Sequence, residues 1–319
     1  MADVEDPRSR IDALIGSADA LFRRRFQESV SSIRDGATLT EVADLLEVGR
    51  FDEALAKVDV AAANIASGYG LAFVAAAEDT AAFLAGNLGI LVNFDRTNLS
   101  ALEQIRQNQL RMIVEFTEGQ RLATRAALVD GISRGLNPRA QAELFRESIG
   151  LTQTQLEAVA NYRRLLEENS AESLVRELRD ARSDRSVERA LRDGAPLPQR
   201  QIDAMVERYR QNYLRYRSET IARTEALPAV HAGVDAMYEQ AVEQGLLDRG
   251  ELVQTWRTAK DARVRDPAHT AMEGQKRPFG QPFLSGIGNS LRYPGDPNAP
   301  AKDRISCRCA KTTRFSVDA

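Results

Sequence analysis

Apolar positions three and four residues apart dominate most of this chain, and that spacing predicts a mainly α-helical protein. Over residues 49–70, Phe51, Leu55, Val58 and Ala62 form one stripe, and Gly68 and Gly70 are expected to end the helix. The most apolar stretch is TAAFLAGNLGILVNF, residues 80–94. It is shorter than the ~20 residues that cross a bilayer, and Glu78 and Asp79 precede it directly. It therefore predicts a buried helix and no stable membrane insertion.

A second helical system begins near residue 96. Ser100 and Glu103 have capping-box spacing, and Leu102, Ile105, Leu110, Ile113 and Val114 trace an apolar face. Gly135 is the expected stop, and Asn137-Pro138 opens the next helix as cap and first-turn residue. The device repeats where Gly150 stops one helix and Thr152 caps another, with Gln155 three residues on. Residues 176–201 alternate in charge and end in Pro196 and Pro198, reading as a solvated helix followed by a boundary. A long helical pattern then runs from Gln201 to about Gln244, with Pro228 as a point of bending. On it, Tyr209, Tyr213 and Tyr216 share a face among Arg208, Arg210, Arg215 and Arg217. Such a face is either a packed tyrosine stripe with arginines paired to Glu207 and Glu219, or a surface that stacks bases and meets phosphates.

Beyond Gly250 the period shortens. ELVQTWRTA, residues 251–259, and RISCRCAKTTRF, residues 304–315, read as strands, with a proline- and glycine-rich stretch between them. The expected fold is thus mainly α: a helical N-terminal two-thirds followed by a small α+β C-terminal module with a long irregular loop. In chain order the expected divisions are 1–95, 96–198 and 199–319.

Composition changes this picture little. The 319 residues are 43% hydrophobic and 28% charged with a net charge of -3, ordinary for a globular chain and without whole-molecule attraction for polyanions. The N-terminus lacks the pattern of a signal peptide, and two cysteines make no disulfide framework, as expected of a protein made in a reducing cytoplasm. Charge is local. Residues 275–314 carry eight basic side chains against two acids, Asp296 and Asp303. Lys276, Arg277, Arg292, Lys302, Arg304, Lys311 and Arg314 are candidates for contact with DNA phosphates or with an acidic protein face.

Both cysteines, Cys307 and Cys309, stand one residue apart. On an extended strand they point the same way with Cα atoms roughly 6.5–7 Å apart, which strains a disulfide but suits two ligands of one tetrahedral metal. On that strand Ile305, Cys307 and Cys309 face inward, and Ser306, Arg308 and Ala310 outward. His269 is the histidine in the same module, with Asp261 and Asp266 the nearest carboxylates for a fourth position. Arg263, Arg265 and Arg308 can pair those carboxylates or lower the thiol pKa values. Spacing equally allows two small buried side chains with His269 capping a turn. No catalytic constellation is expected: His269 and Glu273 do not form HExxH, no GxSxG or P-loop lysine occurs, and a Cys–His pair has no orienting third group.

Several separated motifs occur in a set order: IARTEA; a Trp strand followed by KDARVRDPAHTAMEG; and YPGDPNAPAKDRISCRCA. Together they resemble the C-terminal domain of the phage Mu F-like head morphogenesis family, minor capsid proteins of tailed phages. The matching residues are Arg223, Thr224 and Glu225; Trp256; Asp261, Arg263, Arg265 and His269; and Pro294, Asp296, Pro297, Cys307, Arg308 and Cys309. The resemblance implies a virion protein assembled in the host cytoplasm, acting inside the head at the portal vertex in assembly and in DNA packaging or ejection. The implied partners are portal protein, packaged double-stranded DNA, and capsid or scaffold protein, with residues 96–198 docking on portal. It also ties His269, Cys307 and Cys309 into one zinc set that pins the long loop to the sheet; the fourth place stays open, to Asp261 first, to Asp266 or to water. Two other readings stay open: a phage-borne effector or nucleic-acid-processing enzyme on the same module, and a helical DNA-binding protein acting through the Tyr/Arg face.

Overall fold

Ten α-helices and five short strands make up the regular structure of the described residues, 7–59 and 62–315, in the computed structural model. The helices are α1 (Pro7–Gly36), α2 (Leu39–Glu47), α3 (Phe51–Ala56), α4 (Ala62–Leu88), α5 (Leu99–Ser133), α6 (Pro138–Ser148), α7 (Gln153–Glu167), α8 (Asp184–Asp193), α9 (Gln199–Glu243) and α10 (Ala301–Arg304). The strands are β1 (Leu252–Arg257), β2 (Lys276–Pro278), β3 (Phe283–Leu284), β4 (Ser290–Leu291) and β5 (Ala310–Phe315). A mainly helical chain with a small α+β C-terminal module is what the sequence predicts. Compactness groups the residues into two interleaved units: Met1–Phe26, Ala63–Ile113 and Glu219–Ala319 in one, Gln27–Ala62 and Val114–Ser218 in the other.

Local signals explain where most helices begin and end. Asn137 caps α6 with Pro138 in its first turn, and Thr152 with Gln155 closes a reciprocal capping box on α7. Gly135, Gly150 and Gly194 follow α5, α6 and α8 at φ of 65°, 85° and 62°. Four expectations are corrected. Gly68 and Gly70 do not end a helix: α3 stops at Ala56, and both glycines lie inside α4. A Cβ on Gly68 would sit 3.1 Å from the Phe22 ring, so close packing is what this glycine serves. The helix expected over 80–94 ends at Leu88, where Gly89 adopts φ 67° and Ile90 N–H returns to the Leu84 carbonyl; Leu91 is 84% exposed. The cap of α5 is Asn98, whose side chain accepts the Ala101 N–H, while Glu103 binds Arg106 and Gln107. Finally, the apolar arc of α5 is wider than its buried arc. Ala101, Met112 and Phe116 are buried, whereas Leu102, Leu110 and Val114 are exposed.

The helix α1 is not among the expected elements, because arginines interrupt its apolar positions; Ile11, Ala18, Phe22 and Phe26 are nonetheless buried. Residues 176–201 are not one solvated helix. They include a 3-10 turn at Ala181–Ser183 and then α8.

In the unit made of Gln27–Ala62 and Val114–Ser218, α7, α8 and the start of α9 enclose a cluster that includes Tyr162, Val187, Ile202 and Tyr209. Tyr209 is buried, its ring 4.3 Å from Tyr162 and 5.0 Å from Tyr213, so this part of the tyrosine stripe is packing; Tyr216 is half exposed. The α6–α7 corner is fixed by buried Gln120, which accepts from Gly150 N–H and donates to the Ser148 carbonyl and Thr124.

In the other unit, Gly233 of α9 lies against α4 so closely that a Cβ would fall 2.1 Å from the Phe73 carbonyl oxygen. Here α4 meets the length and composition of a membrane span, yet Tyr69, Phe73 and Leu84 are fully buried, as in a core helix. The antiparallel sheet has the order β2-β1-β5, with Trp256 opposite Lys311 and Gln254 opposite Thr313. Its Trp256 face packs on α9 at Leu227, and Met272, Phe283 and Leu291 from the long loop complete the core.

Candidate metal centre

The segment carrying the cysteines is not the strand expected over 304–315. Pro300 starts the short α10, Ser306 takes φ 54°, the Cys307 N–H closes a turn on the Arg304 carbonyl, and β5 begins only at Ala310. Strand alternation therefore fails as a guide: Ile305 is 41% exposed and Ala310 fully buried, the reverse of expectation. The two cysteines are buried all the same, beside a turn whose Ile305–Ser306 peptide is held on both its N–H and its carbonyl. The Ser306 N–H donates to Thr224 Oγ1, and Arg265 donates to the Ile305 carbonyl. These contacts give the Arg-Thr-Glu helix and the Arg-Val-Arg segment their purpose.

His269 completes the group. Its Nδ1 lies 3.7 Å from Cys307 Sγ and 3.6 Å from Cys309 Sγ, and the three ligand atoms all fall within 4.8 Å of one another. A tetrahedral zinc with bonds of about 2.3 Å to sulfur and about 2.0–2.1 Å to nitrogen has N···S edges of roughly 3.6 Å. Both N···S separations therefore already match edges of such a polyhedron, and the residues fit a soft divalent ion. All three are buried, His269 beneath the edge of Trp256 with ring centroids 5.7 Å apart. The thiols are electrostatically unequal. Hydrogen bonding from Cys309, and then from His269, pulls Cys307 well below the usual thiol range, while the Cys307 sulfur and burial push Cys309 up.

Neither expected carboxylate joins this group. Asp261 pairs with Arg308 at 2.7 Å and accepts the Arg263 N–H; Asp266 accepts the Thr270 hydroxyl. Asp303 is the acid nearby that sequence reasoning passed over as a site residue. It is fully buried, with Oδ1 3.6 Å from His269 Nε2 and Oδ2 accepting from Asn289 Nδ2. A signal was present: Asp296 and Asp303 are the only acids in the basic stretch 275–314. Both are buried, and Asp296 closes the YPGDP turn by accepting the Arg292 and Asn298 N–H groups. Gly295 in that turn packs on α9, where a Cβ would lie 3.0 Å from both Leu227 and Pro228.

The basic residues divide. Lys276, Lys302 and Arg314 are exposed, Arg277 is partly so, and Arg292 is half exposed but bound to Asp296. Arg304 is partly buried. Lys311 is a correction: it is 1% exposed, its ammonium 2.5 Å from both oxygens of Asp235, so it cannot reach DNA or a partner protein. Of the remaining motif residues, Arg223 lies 3.8 Å from Asp19 and Glu225 pairs with Arg111.

No curated protein and no solved structure matches the chain. Residues 183–312 match the model of the family described as Phage Mu protein F like protein, a span that holds the Arg-Thr-Glu helix, Trp256, His269 and both cysteines. Over this segment the chain is similar to the Phage Mu F-like family.

Proposed function

We propose that this is a minor virion protein of tailed-phage head morphogenesis, acting inside the head near the portal vertex in assembly and in DNA packaging or ejection. The observation that carries the reading is the family match over 183–312. The motif residues within it are used to build and tie down the C-terminal module. The role is structural rather than catalytic: the Cys–His group lies under the loop, so a substrate reaches the sulfurs only if that loop moves. Co-purification of the full chain with portal protein, followed by imaging of the assembled vertex, tests it. Density for the chain at the vertex is expected; a chain found free, with nuclease or other effector activity, overturns it in favour of the effector reading.

The exposed cations Lys276, Lys302 and Arg314 are the proposed contact with packaged DNA or with an acidic portal face. Direct binding separates the two partners. Duplex DNA bound by the full chain, with log K falling linearly against log salt, supports the first; binding to purified portal protein with none to duplex DNA supports the second.

Zinc is the proposed ion at His269, Cys307 and Cys309, and its role is to hold the turn before β5 against the loop after β1. Its binding free energy would add to the apolar cluster around Trp256 in offsetting the entropy of ordering this irregular chain. Metal analysis is expected to give one zinc per chain, and chelation to lower the melting temperature. At a free zinc concentration 100 times the dissociation constant the stabilisation is about 2.7 kcal/mol. A metal-free protein with an unchanged melting temperature in chelator and in zinc overturns this part.

A further inference from the structure

An imidazole has two nitrogens on opposite sides of the ring, and both are accounted for at His269. Nδ1 faces the two sulfurs at 3.7 and 3.6 Å; Nε2 faces Asp303 Oδ1 at 3.6 Å. Both Nε2 and Oδ1 are buried without a hydrogen-bond partner. Asp303 itself is fully buried, and its other oxygen is held by Asn289 Nδ2 at 2.5 Å. A buried acceptor and a buried ring nitrogen facing each other unsatisfied are costly, unless the ring carries its proton on that side and the two close up. A shift of about 0.7 Å brings them to ordinary hydrogen-bond length.

From this, and resting on the metal reading above, we infer that Asp303, braced by Asn289, is the positioning residue that fixes His269 with its proton on Nε2 and its Nδ1 lone pair aimed at the ion. The carboxylate cannot be a ligand of the same ion as Nδ1, because it lies across the ring. It acts through the histidine: it sets the tautomer, orients the ring and raises the basicity of Nδ1. Chain geometry couples the two roles. Asp303 sits in α10, and the turn that ends α10 delivers Cys307 four residues later, its N–H on the Arg304 carbonyl. One short element therefore places a ligand and the group that orients another ligand.

The probes are Zn2+ and Co2+ with the full chain. Zinc affinity of the wild type and of Asp303→Asn is measured by competition with a chromophoric chelator, alongside the melting temperature of each metal-free protein. About a 10- to 100-fold loss of affinity is expected in Asp303→Asn. The tetrahedral Co2+ absorption bands should persist at saturating metal, since the ligands are intact. Wild-type protein that binds no zinc overturns the metal reading and this inference together. Zinc bound equally well by Asp303→Asn overturns the inference alone, and a shared fall in metal-free melting temperature then marks Asp303 as a loop brace only. Should the variant fail to fold, the 15N spectrum of His269 in zinc-loaded wild type decides: a proton on Nε2 with Nδ1 ligated is expected, and ligation through Nε2 overturns the inference.

Discussion

The helical unit built from Gln27–Ala62 and Val114–Ser218 and the C-terminal module from Glu219 onward solve the same problem by different means. The first buries apolar and tyrosine side chains that recur at helical spacing, and apart from buried Gln120 in α5 the polar devices named above sit at helix ends: Asn137, Thr152 and the glycines that follow α5, α6 and α8. The second has a small apolar cluster around Trp256 and must order about fifty residues of turn between β1 and β5. It does so with polar groups wholly or partly taken out of water: buried Asp303 on Asn289, buried Asp296 on two N–H groups, part-buried Glu273 on Thr258, and buried Lys311 on part-buried Asp235. Periodic burial is tolerant, since neighbours share the load. A buried polar pair is not, because losing one partner strands the other.

The sharpest way to break that contrast is the Lys311–Asp235 pair. Burial lowers the Lys311 pKa and raises that of Asp235, and the charge of each favours the charge of the other. Asp235→Ala leaves the ammonium uncompensated and is expected to cost about 3–5 kcal/mol. Asp235→Leu combined with Lys311→Met removes both charges and should recover most of that loss. Denaturant titration reads both proteins. A single substitution costing under about 1 kcal/mol, the usual worth of an exposed pair, means the module does not depend on its buried ions.

A smaller effect comes from His231, fully buried on α9 with both ring nitrogens lacking hydrogen-bond partners. Burial, then the Lys311 and Arg8 charges, hold its pKa well below the usual value near 6.5. A histidine with a depressed folded pKa stays neutral in the fold while the unfolded chain takes up a proton, so stability is lost as pH falls through the unfolded pKa. Between pH 7.5 and 5.5 this group contributes a loss of about 1.4 kcal/mol. His231→Leu should flatten the stability curve by that amount. Curves that stay parallel over this range would mean that the ring titrates in the fold as it does in the unfolded chain.

These two regions were also unequally legible. Helix ends carry local chemistry, so Thr152 with Gln155 and Asn137 with Pro138 are readable at a glance. The order of motifs likewise pointed to His269, Cys307 and Cys309 as one group. What failed were inferences from period alone. The turn at Ser306 moved the cysteines off the strand, so Ile305 and Ala310 exchanged sides. Gly68 and Gly70 were read as stops, though only a tertiary neighbour, the Phe22 ring, gives Gly68 its purpose. Charge misled in the same way. Lys311 looked like one more member of a basic surface, and nothing local distinguishes it from Lys302. Its partner Asp235 lies 76 residues away in sequence.

The smallest expected effect tests the helical side of the comparison. Thr152 accepts the Gln155 N–H while the Gln155 side chain accepts the Thr152 N–H, so Thr152→Ala removes one half of a reciprocal cap at the start of α7. The helix keeps its buried side chains Val159, Tyr162, Leu165 and Leu166, and water can reach the freed N–H because the cap is only part-buried. The cost is therefore the ordinary one for a cap, about 1 kcal/mol. It should appear in the denaturation midpoint with no change in slope. A loss of about 3 kcal/mol or more would mean that α7 depends on its cap as the C-terminal module depends on its buried polar pairs, and the two regions would then be built alike.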